Sequence, residues 1–193
     1  MKKRTITALL LIIAIITGIL TGCKEKEKNV VLNRYDAQFL DLFDTVTSIV
    51  GYTEDEETFR TYAQELYDEL KIYHQLYDIY NDYEGIANIK TINDQAGIGP
   101  VQVDERIIEM LKEAVEMDKK TKGYMNIAMG SVLSIWHEFR TEGIYDPETA
   151  ELPPMDALKE AAEHTDISQV EIDEEACTVY LPDSDMSLDV GSI

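Results

Sequence analysis

The sequence predicts an α+β domain in which helices pack on a mostly antiparallel sheet. Two long stretches carry apolar residues at the three- and four-residue spacing of one helix face, and brief alternating or β-branched stretches lie before and after them. Helices and short strands that occupy separate runs of the chain are typical of this class. The chain has 193 residues, of which 45% are hydrophobic. It is therefore long enough and apolar enough for about one domain, and intrinsic disorder is excluded.

The charge balance argues against a nucleic-acid-binding protein. The chain contains 17 Lys and Arg residues against 38 Asp and Glu residues, which gives a formal net charge of -21. Basic residues cluster only briefly, in the first four positions, in the stretch 24–28 and at 119–122. A phosphate backbone would therefore meet mostly negative charge on this protein.

The amino terminus has the pattern of a bacterial lipoprotein signal peptide. Residues 1–4 are positively charged, residues 8–20 are almost wholly apolar, and Leu20-Thr21-Gly22-Cys23 places small residues before a cysteine. We expect the signal peptide 1–22 to be cleaved and the Cys23 thiol to carry a lipid. A plain membrane anchor is the alternative, although the apolar stretch is shorter than the ~20 residues of a span.

This processing defines three segments and a location. After the signal peptide 1–22, residues 23–38 are charged and lack periodicity, so we expect a flexible lipidated tether. Residues 39–193 are expected to form the folded domain. The lipid would hold the protein on the extracytoplasmic face of the bacterial cell membrane.

The first predicted elements follow from local residue patterns. A β-branched run predicts a strand over 43–52. Thr53 and Glu56 have the spacing of a capping box, and apolar and tyrosine residues then recur on one helical face as far as Tyr80. This pattern predicts a long helix with one face packed inward.

A second amphipathic helix is predicted after an irregular segment, 85–100. Asp104 is its expected N-cap, apolar residues line one face over 107–115, and Gly123 ends it as a left-handed stop. The remaining predicted elements are a short helix and three brief strands. They are the helix 155–162 and the strands 169–173, 177–181 and 186–190.

The histidines and cysteines form no catalytic or zinc motif by themselves. His74, His137 and His164 lack the spacing of metal ligands and are expected on the surface or on helices. If Cys23 carries the lipid, Cys177 is the one remaining thiol. Its alternating surroundings favour a small core residue over a nucleophile.

The tyrosines and one loop are more informative. Most of the 11 tyrosines are expected in the core, whereas Tyr80 falls at a helix end, where its ring could stack on a flat ligand. The loop 123–136 follows a helix stop, contains Asn126, and continues into an apolar helical turn with the sole tryptophan, Trp136. Its backbone amides and the Asn126 amide could bind the edge of a heterocycle, with an ordinary buried loop as the alternative.

Four segments taken together resemble the FAD:protein FMN transferase family, also called the ApbE family. They are Phe43-Asp44-Thr45, Leu76-Tyr77-Asp78-Ile79-Tyr80, the loop 123–136, and Met186-Ser187-Leu188-Asp189-Val190-Gly191-Ser192-Ile193. They occur in the family's order between Phe39 and Ile193. The resemblance implies a T-fold-related domain. Because the family pattern continues past its match to Ile193, the chain is expected to hold the amino-terminal half and to be inactive alone as a catalyst.

The resemblance also implies the residues of the site. Those matching FAD-binding positions are Phe43, Tyr80, Tyr124, Met125, Asn126 and Asp189, and the residue matching a magnesium ligand is Ser192. Two positions depart from the family pattern. Phe43-Asp44 stands where Met-Gly is common, and Asn126 stands where Asp is frequent, which keeps the hydrogen-bonding shape without the charge. No catalytic base is assigned.

The reaction that the resemblance implies is a magnesium-dependent transfer of FMN from FAD to a threonine hydroxyl of a target protein, with release of AMP. The implied partners are FAD and extracytoplasmic flavoprotein subunits of Rnf-type or sodium-pumping quinone oxidoreductase complexes, near which a lipid tether would concentrate the enzyme. Two alternatives stay open. They are hydrolysis of FAD to FMN and AMP, and a non-catalytic lipoprotein that binds a flavin or another small molecule.

Overall fold

The structure, a computed structural model, describes residues 30–191. The signal peptide 1–22, Cys23 and Ser192 lie outside the described residues. Over 30–191 the chain forms five helices and five strands, linked in places by short 3-10 turns. None of the helices in this range is long and apolar enough to cross a membrane.

The strands β1 (Asn33–Leu42) and β2 (Thr45–Thr53) form an antiparallel hairpin closed by Phe43 and Asp44. These two residues have positive φ angles of 56° and 50°. Two consecutive left-handed residues make the tight turn whose twist matches that of paired strands, and an aspartate tolerates this conformation better than most side chains. The predicted strand is therefore correct from residue 45 onward, and its first two residues are the turn.

The tether predicted over 23–38 is wrong for residues 33–38, which belong to β1. Tyr35, Ala37 and Phe39 are half-buried and alternate with exposed residues. The sequence itself carries this two-residue period, because the exposed residues Arg34 and Asp36 alternate with the packing positions, and the assignment of 33–38 to the tether overlooked it.

The long helix α1 (Glu56–Tyr77) has its N-cap two residues after the predicted one, Thr53. Asp55 is the N-cap, and its side chain accepts a hydrogen bond of 2.8 Å from the Thr58 N–H. Thr53 instead ends β2 and donates its hydroxyl to the Asp55 carbonyl at 2.6 Å. The helix ends at Tyr77, so that Tyr80 lies just beyond its carboxyl end, as predicted.

The central body contains the remaining elements and the main core. They are α2 (Ile89–Asp94), β3 (Val101–Gln102), α3 (Glu105–Thr121), α4 (Gly130–Tyr145), α5 (Met155–Ala161), β4 (Glu171–Asp173) and β5 (Thr178–Tyr180). The strands form an antiparallel sheet in the order β3-β5-β4. Ile107, Leu111, Val179 and Leu188 are almost fully buried in one cluster against this sheet.

Most predictions for the central body are confirmed. Asp104 caps α3, with its carboxylate 3.0 Å from the Arg106 N–H, and the helix ends through left-handed residues at Lys122 and Gly123. The predicted helix 155–162 and two of the three late strands are present. Cys177 is half-buried and packs against the core.

Two central predictions are wrong. The segment 85–100, predicted to be irregular, contains α2, whose capping box at Asn88 and Thr91 is too short a signal to stand out. The segment 186–190 is extended and buried at Met186 and Leu188, but it is not a strand. Its backbone groups bond to a loop and to the side chain of Asn93 instead of to a neighbouring strand.

Candidate functional site

Two cavities share three of their lining residues, Ile79, Tyr80 and Asp189. The larger has a volume of about 850 Å³ and lies along α4, facing residues 150–153. The smaller has a volume of about 400 Å³ and lies between the hairpin turn and the end of α1. Phe43, Tyr80 and Asp189, which come from three distant parts of the chain, therefore meet around one site.

The hairpin turn is held against α1 by His74. The Phe43 N–H donates to His74 Nδ1 over 3.1 Å, and the two rings meet edge to face at 5.6 Å. Because Nδ1 accepts this bond, a neutral imidazole carries its proton on Nε2, which lies 3.2 Å from the Tyr83 hydroxyl oxygen. The Tyr83 hydroxyl in turn donates to Asp78 Oδ2 over 2.7 Å.

Asp78 is the end of this hydrogen-bonded chain and the C-cap of α1. Burial alone would raise the pKa of Asp78, but hydrogen bonds from Asn81 and Tyr83 and from the backbone N–H groups of Tyr80 and Asn81 keep it below its usual value. Burial and the bond to Asp78 raise the pKa of Tyr83 to about 12. Asp78 therefore stays charged and Tyr83 stays neutral, which fixes the backbone that carries Tyr80.

Tyr80 stands between the two cavities with its ring partly exposed. Its ring lies 5.4 Å from that of His137 on α4, with an angle of 33° between the planes. Burial raises the pKa of Tyr80, and the carboxylates of Asp189, Asp44 and Asp78 raise it further. These carboxylates make the surroundings of Tyr80 negative.

Arg140 supplies the opposing charge. It lines the larger cavity. Its positive charge lowers the pKa of Tyr80, whereas the three carboxylates raise it. One guanidinium does not balance three carboxylates, so an anionic ligand placed beside Tyr80 would need a further cation.

Asp189 offers a hard oxygen to such a cation. Its backbone N–H donates to the Ile127 carbonyl over 2.7 Å, and its Oδ1 accepts from the Gly191 N–H over 2.9 Å. The hydrogen bond to Gly191 engages Oδ1, and the side chain lines both cavities. A carboxylate oxygen in a negative pocket fits the ligand preference of Mg²⁺.

The loop residues Tyr124, Met125 and Asn126 are not brought to these cavities. Tyr124 is 94% exposed, and the Met125 N–H donates to the Thr121 hydroxyl over 3.1 Å. The Asn126 side chain caps the next turn by accepting from the Ala128 N–H, and it donates to the Thr165 carbonyl, each over 2.8 Å. Both ends of its amide are therefore engaged within the protein.

The structure adds site residues that sequence reasoning missed. His74 was expected to be an ordinary surface or helix residue, and Arg140 and Asn93 carried no motif. His137 of α4 also lines the larger cavity, beside Trp136, which the sequence had already marked as part of the loop 123–136. The sequence pattern of α4 can at most predict an amphipathic helix. It cannot show that His137 and Arg140 face a cavity whose other walls come from distant parts of the chain.

A separate group of polar side chains lies away from both cavities. Within residues 30–191, His164, Asp183 and Asp185 have ligand atoms within 4.8 Å of one another. His164 Nδ1 and Asp183 Oδ2 are 2.7 Å apart and form an ion pair when His164 is protonated. None of the three lines either cavity.

Comparison with known families identifies the family of the chain. The family model described as ApbE family matches residues 43–193. The chain belongs to the ApbE family. A relative from Treponema pallidum (strain Nichols), named FAD:protein FMN transferase, is 32% identical over 110 residues, which cover 54% of this chain and 28% of the relative. The family resemblance of the four segments is thereby confirmed.

Two solved structures show the ApbE fold. The ApbE protein from Thermotoga maritima MSB8 has a TM-score of 0.65 and 22% sequence identity. The flavinyl transferase ApbE from Pseudomonas stutzeri, in its apo form, has a TM-score of 0.61 and 11% identity. Each match covers 82% of this chain and 48% of the other chain. The predicted α+β class is confirmed, and the chain spans about half the length of these ApbE structures.

Proposed function

We propose that this ApbE chain provides the FAD-binding surface of a magnesium-dependent FAD:protein FMN transferase. The observation that carries the proposal is that Tyr80 and Asp189 line both cavities and that Phe43 lines the smaller cavity beside them. A dinucleotide has two flat groups joined by a diphosphate, and two cavities that adjoin at one carboxylate suit that shape. The name of the Treponema pallidum relative supports the same ligand.

The charges around Tyr80 support a requirement for magnesium. Carboxylates at Asp44, Asp78 and Asp189 would repel a diphosphate, and Arg140 alone offsets only part of that charge. Asp189 would hold the ion, together with Ser192, which lies outside the described residues. When bound, Mg²⁺ neutralises the diphosphate and stabilises the leaving AMP.

In the proposed reaction, a threonine hydroxyl oxygen of the acceptor attacks the phosphorus of the FMN half of FAD. The new phosphorus–oxygen bond forms as the bond to AMP breaks, AMP leaves with the bonding electrons, and the hydroxyl proton passes to a base. The roles of this chain are to hold the rings of FAD between aromatic side chains and to fix the diphosphate beside Asp189.

The acceptor and the cellular location are part of the proposal. The acceptor would be a threonine on an extracytoplasmic flavoprotein subunit of an Rnf-type or sodium-pumping quinone oxidoreductase complex. A lipid on Cys23 would keep the enzyme near such complexes. A Cys23→Ala variant should then lose the lipid mass and leave the membrane fraction, and retention of both properties would contradict the anchor.

Binding is tested by titrating FAD into the magnesium-loaded chain and into an Asp189→Ala variant. Loss of one charged contact should weaken FAD binding about tenfold or more. Asp185→Ala is the matched control, because it removes the same charge outside both cavities and should keep the wild-type affinity. No saturable binding by the wild type would refute the proposal.

Transfer is tested with the protein expressed from its complete gene, an acceptor domain, FAD and Mg²⁺. Covalent flavin fluorescence on the acceptor together with stoichiometric AMP is the expected result. AMP release without an acceptor would indicate hydrolysis of FAD instead. FAD binding without either product would favour a non-catalytic flavin-binding lipoprotein.

A further inference from the structure

The segment that carries Asp189 is buried without a strand partner among the described residues. Met186 is 2% exposed and Leu188 is fully buried, yet residues 186–190 belong to neither sheet. A buried extended backbone must satisfy its N–H and C=O groups, and unsatisfied groups would be costly. The position of Asp189 therefore depends on whichever groups bond to this segment.

On one side, a single side chain takes the place of a strand. The Asn93 Nδ2 donates to the Leu188 carbonyl over 2.9 Å, and the Leu188 N–H donates to Asn93 Oδ1 over 2.8 Å. This reciprocal pair is the pattern that two opposed residues of an antiparallel sheet exchange. The primary amide of asparagine can imitate a peptide group in this way, since it has both a donor and an acceptor.

On the other side, the first residue of α4 and the 3-10 turn before it hold the neighbouring residues. The Gly130 N–H donates to the Ser187 carbonyl over 3.0 Å, and the Asp189 N–H donates to the Ile127 carbonyl over 2.7 Å. A Cβ atom on Gly130 would lie 2.5 Å from the Ser187 carbonyl oxygen. Hydrogen bonds thus clamp the segment 187–189 from both sides, and Gly130 lies too close to Ser187 to accommodate a side chain.

A second asparagine ties Asn93 to the Tyr80 side of the site. Asn93 belongs to α2, whose N-cap is the fully buried Asn88. The Asn88 side chain donates to the Asn81 carbonyl over 2.9 Å and to the Gln75 carbonyl over 3.2 Å. Asn81 follows Tyr80 directly and Leu188 precedes Asp189, so helix α2 links the two site residues through hydrogen bonds at each of its ends.

We propose that Asn93 is a positioning residue that sets the place of the Asp189 carboxylate relative to the Tyr80 ring. This inference rests on the proposed function, because Asp189 is there the group that fixes the diphosphate through its cation. Asn93 acts through the Leu188 backbone and, in this inference, makes no contact with FAD. Its removal should therefore matter for binding only while Asp189 is present.

A double-mutant cycle tests this dependence, with FAD affinity of the magnesium-loaded chain as the measurement. Asn93→Ala should weaken FAD binding about tenfold in the wild-type background, and it should have little further effect in the Asp189→Ala background. Amide hydrogen exchange at Leu188 should accelerate in the same variant. Asn33→Ala is the matched control, because Asn33 also bonds a distant carbonyl, that of Glu54, but on the hairpin away from the site.

A different pair of variants tests the clamp from its other side. Gly130→Ala forces the Ser187 carbonyl to move and should lower FAD affinity in the same Asp189-dependent way. Gly99→Ala has no heavy atom within 4 Å of the new Cβ and should leave affinity unchanged. If Asn93→Ala fails to fold, Asn93→Asp replaces it in the cycle, since it keeps the size and the acceptor for the Leu188 N–H.

The outcomes separate this inference from the proposed function. Wild-type FAD binding that Asn93→Ala leaves unchanged would overturn the positioning role and leave the proposed function standing. Equal losses of affinity with and without Asp189 would indicate a general structural role and would also overturn it. If the wild type binds no FAD, the proposed function fails and the inference fails with it.

Discussion

The hairpin and the central body bury their side chains to very different extents. On the hairpin and the helix turns that face it, Leu42, Phe59 and Ala63 are the buried residues, while Leu40 and Val46 on the hairpin are 74% and 57% exposed. The buried cluster of the central body extends along the chain from Leu76 to Leu188. We expect the hairpin to open at a lower free energy than the body, because fewer buried apolar contacts hold it.

This difference matters because the candidate site draws on both regions. Phe43 comes from the hairpin turn, whereas Tyr80 and Asp189 come from the central body. Two aromatic pairs, Tyr35 with Phe59 and Phe39 with Tyr67, hold the hairpin on α1. One wall of the smaller cavity therefore depends on a loosely held element and the other on a well-packed one.

The largest effect is expected from a cavity in the central body. Ile107 is fully buried in α3, and Ile107→Ala should lower the free energy of unfolding by about 2–5 kcal/mol. Denaturant unfolding measures the change. The matched control is Ile98→Ala, which changes a side chain that is 73% exposed and should alter stability by less than about 0.5 kcal/mol. Similar losses in both variants would contradict the assignment of the core.

A smaller and more local effect is expected from Phe59, which is 5% exposed and stacks on Tyr35 at 5.7 Å. Phe59→Ala should destabilise the hairpin by about 1–3 kcal/mol, less than a core truncation costs if the hairpin opens separately. Amide exchange should then accelerate in β1 and β2 and stay unchanged in α3. Equal acceleration in α3 would mean that the two regions unfold as one unit. Tyr62→Ala, which changes an exposed tyrosine of α1, is the control.

The link between the two regions is expected to contribute less again. His74→Ala removes the acceptor for the Phe43 N–H and should cost about 1 kcal/mol of stability. His74→Asn keeps an acceptor close to the position of Nδ1 and should recover part of the loss. FAD affinity should decrease in the order wild type, His74→Asn, His74→Ala. Without the hydrogen bond, the hairpin turn that forms one wall of the smaller cavity is no longer held against α1. Affinity unchanged in both variants would remove the hairpin turn from the site.

The smallest effect is expected at the His164–Asp183 pair on the surface of the central body. The hydrogen bond to Asp183 raises the pKa of His164. Protonated His164 therefore stabilises the folded protein below the unfolded-state pKa of the histidine, and this contribution is lost as pH rises through its folded-state pKa. The bond to His164 lowers the pKa of Asp183, so that contribution is lost as pH falls through the lowered pKa.

The pair therefore stabilises the protein most between these two pKa values. The Tm difference between the wild type and His164→Gln should be larger at about pH 5 than at about pH 9. Glu163→Gln, which changes the adjacent exposed carboxylate, is the control for a general charge effect. A difference that grows toward high pH would contradict the ion pair.

Local signals in the sequence located many of the elements but not their partners. The Asp104 cap and the glycine stop at Gly123 marked α3 because capping is a contact among neighbouring residues. The segment 186–190 looked like a strand because its residues alternate, and it is indeed extended and buried. Its partner is the Asn93 side chain, 95 residues away, which no local pattern could indicate.

The site shows the same division. The ordered motifs were enough to indicate the ApbE family, and they included Phe43, Tyr80 and Asp189, which line the smaller cavity together. The motif also included Asn126, whose amide is engaged in capping and in a bond to Thr165. His74 and Asn93 belonged to no motif, although both hold site residues in place.

By itself, then, the sequence determined the approximate positions of the two long helices, α1 and α3, and the family to which the chain belongs. These properties depend on residue spacing and capping within a few positions of each other. Only the tertiary structure decided that a hairpin turn, a helix end and a buried extended segment meet around Tyr80. That meeting depends on hydrogen bonds and packing between residues far apart in the chain, and local periodicity carries no information about them.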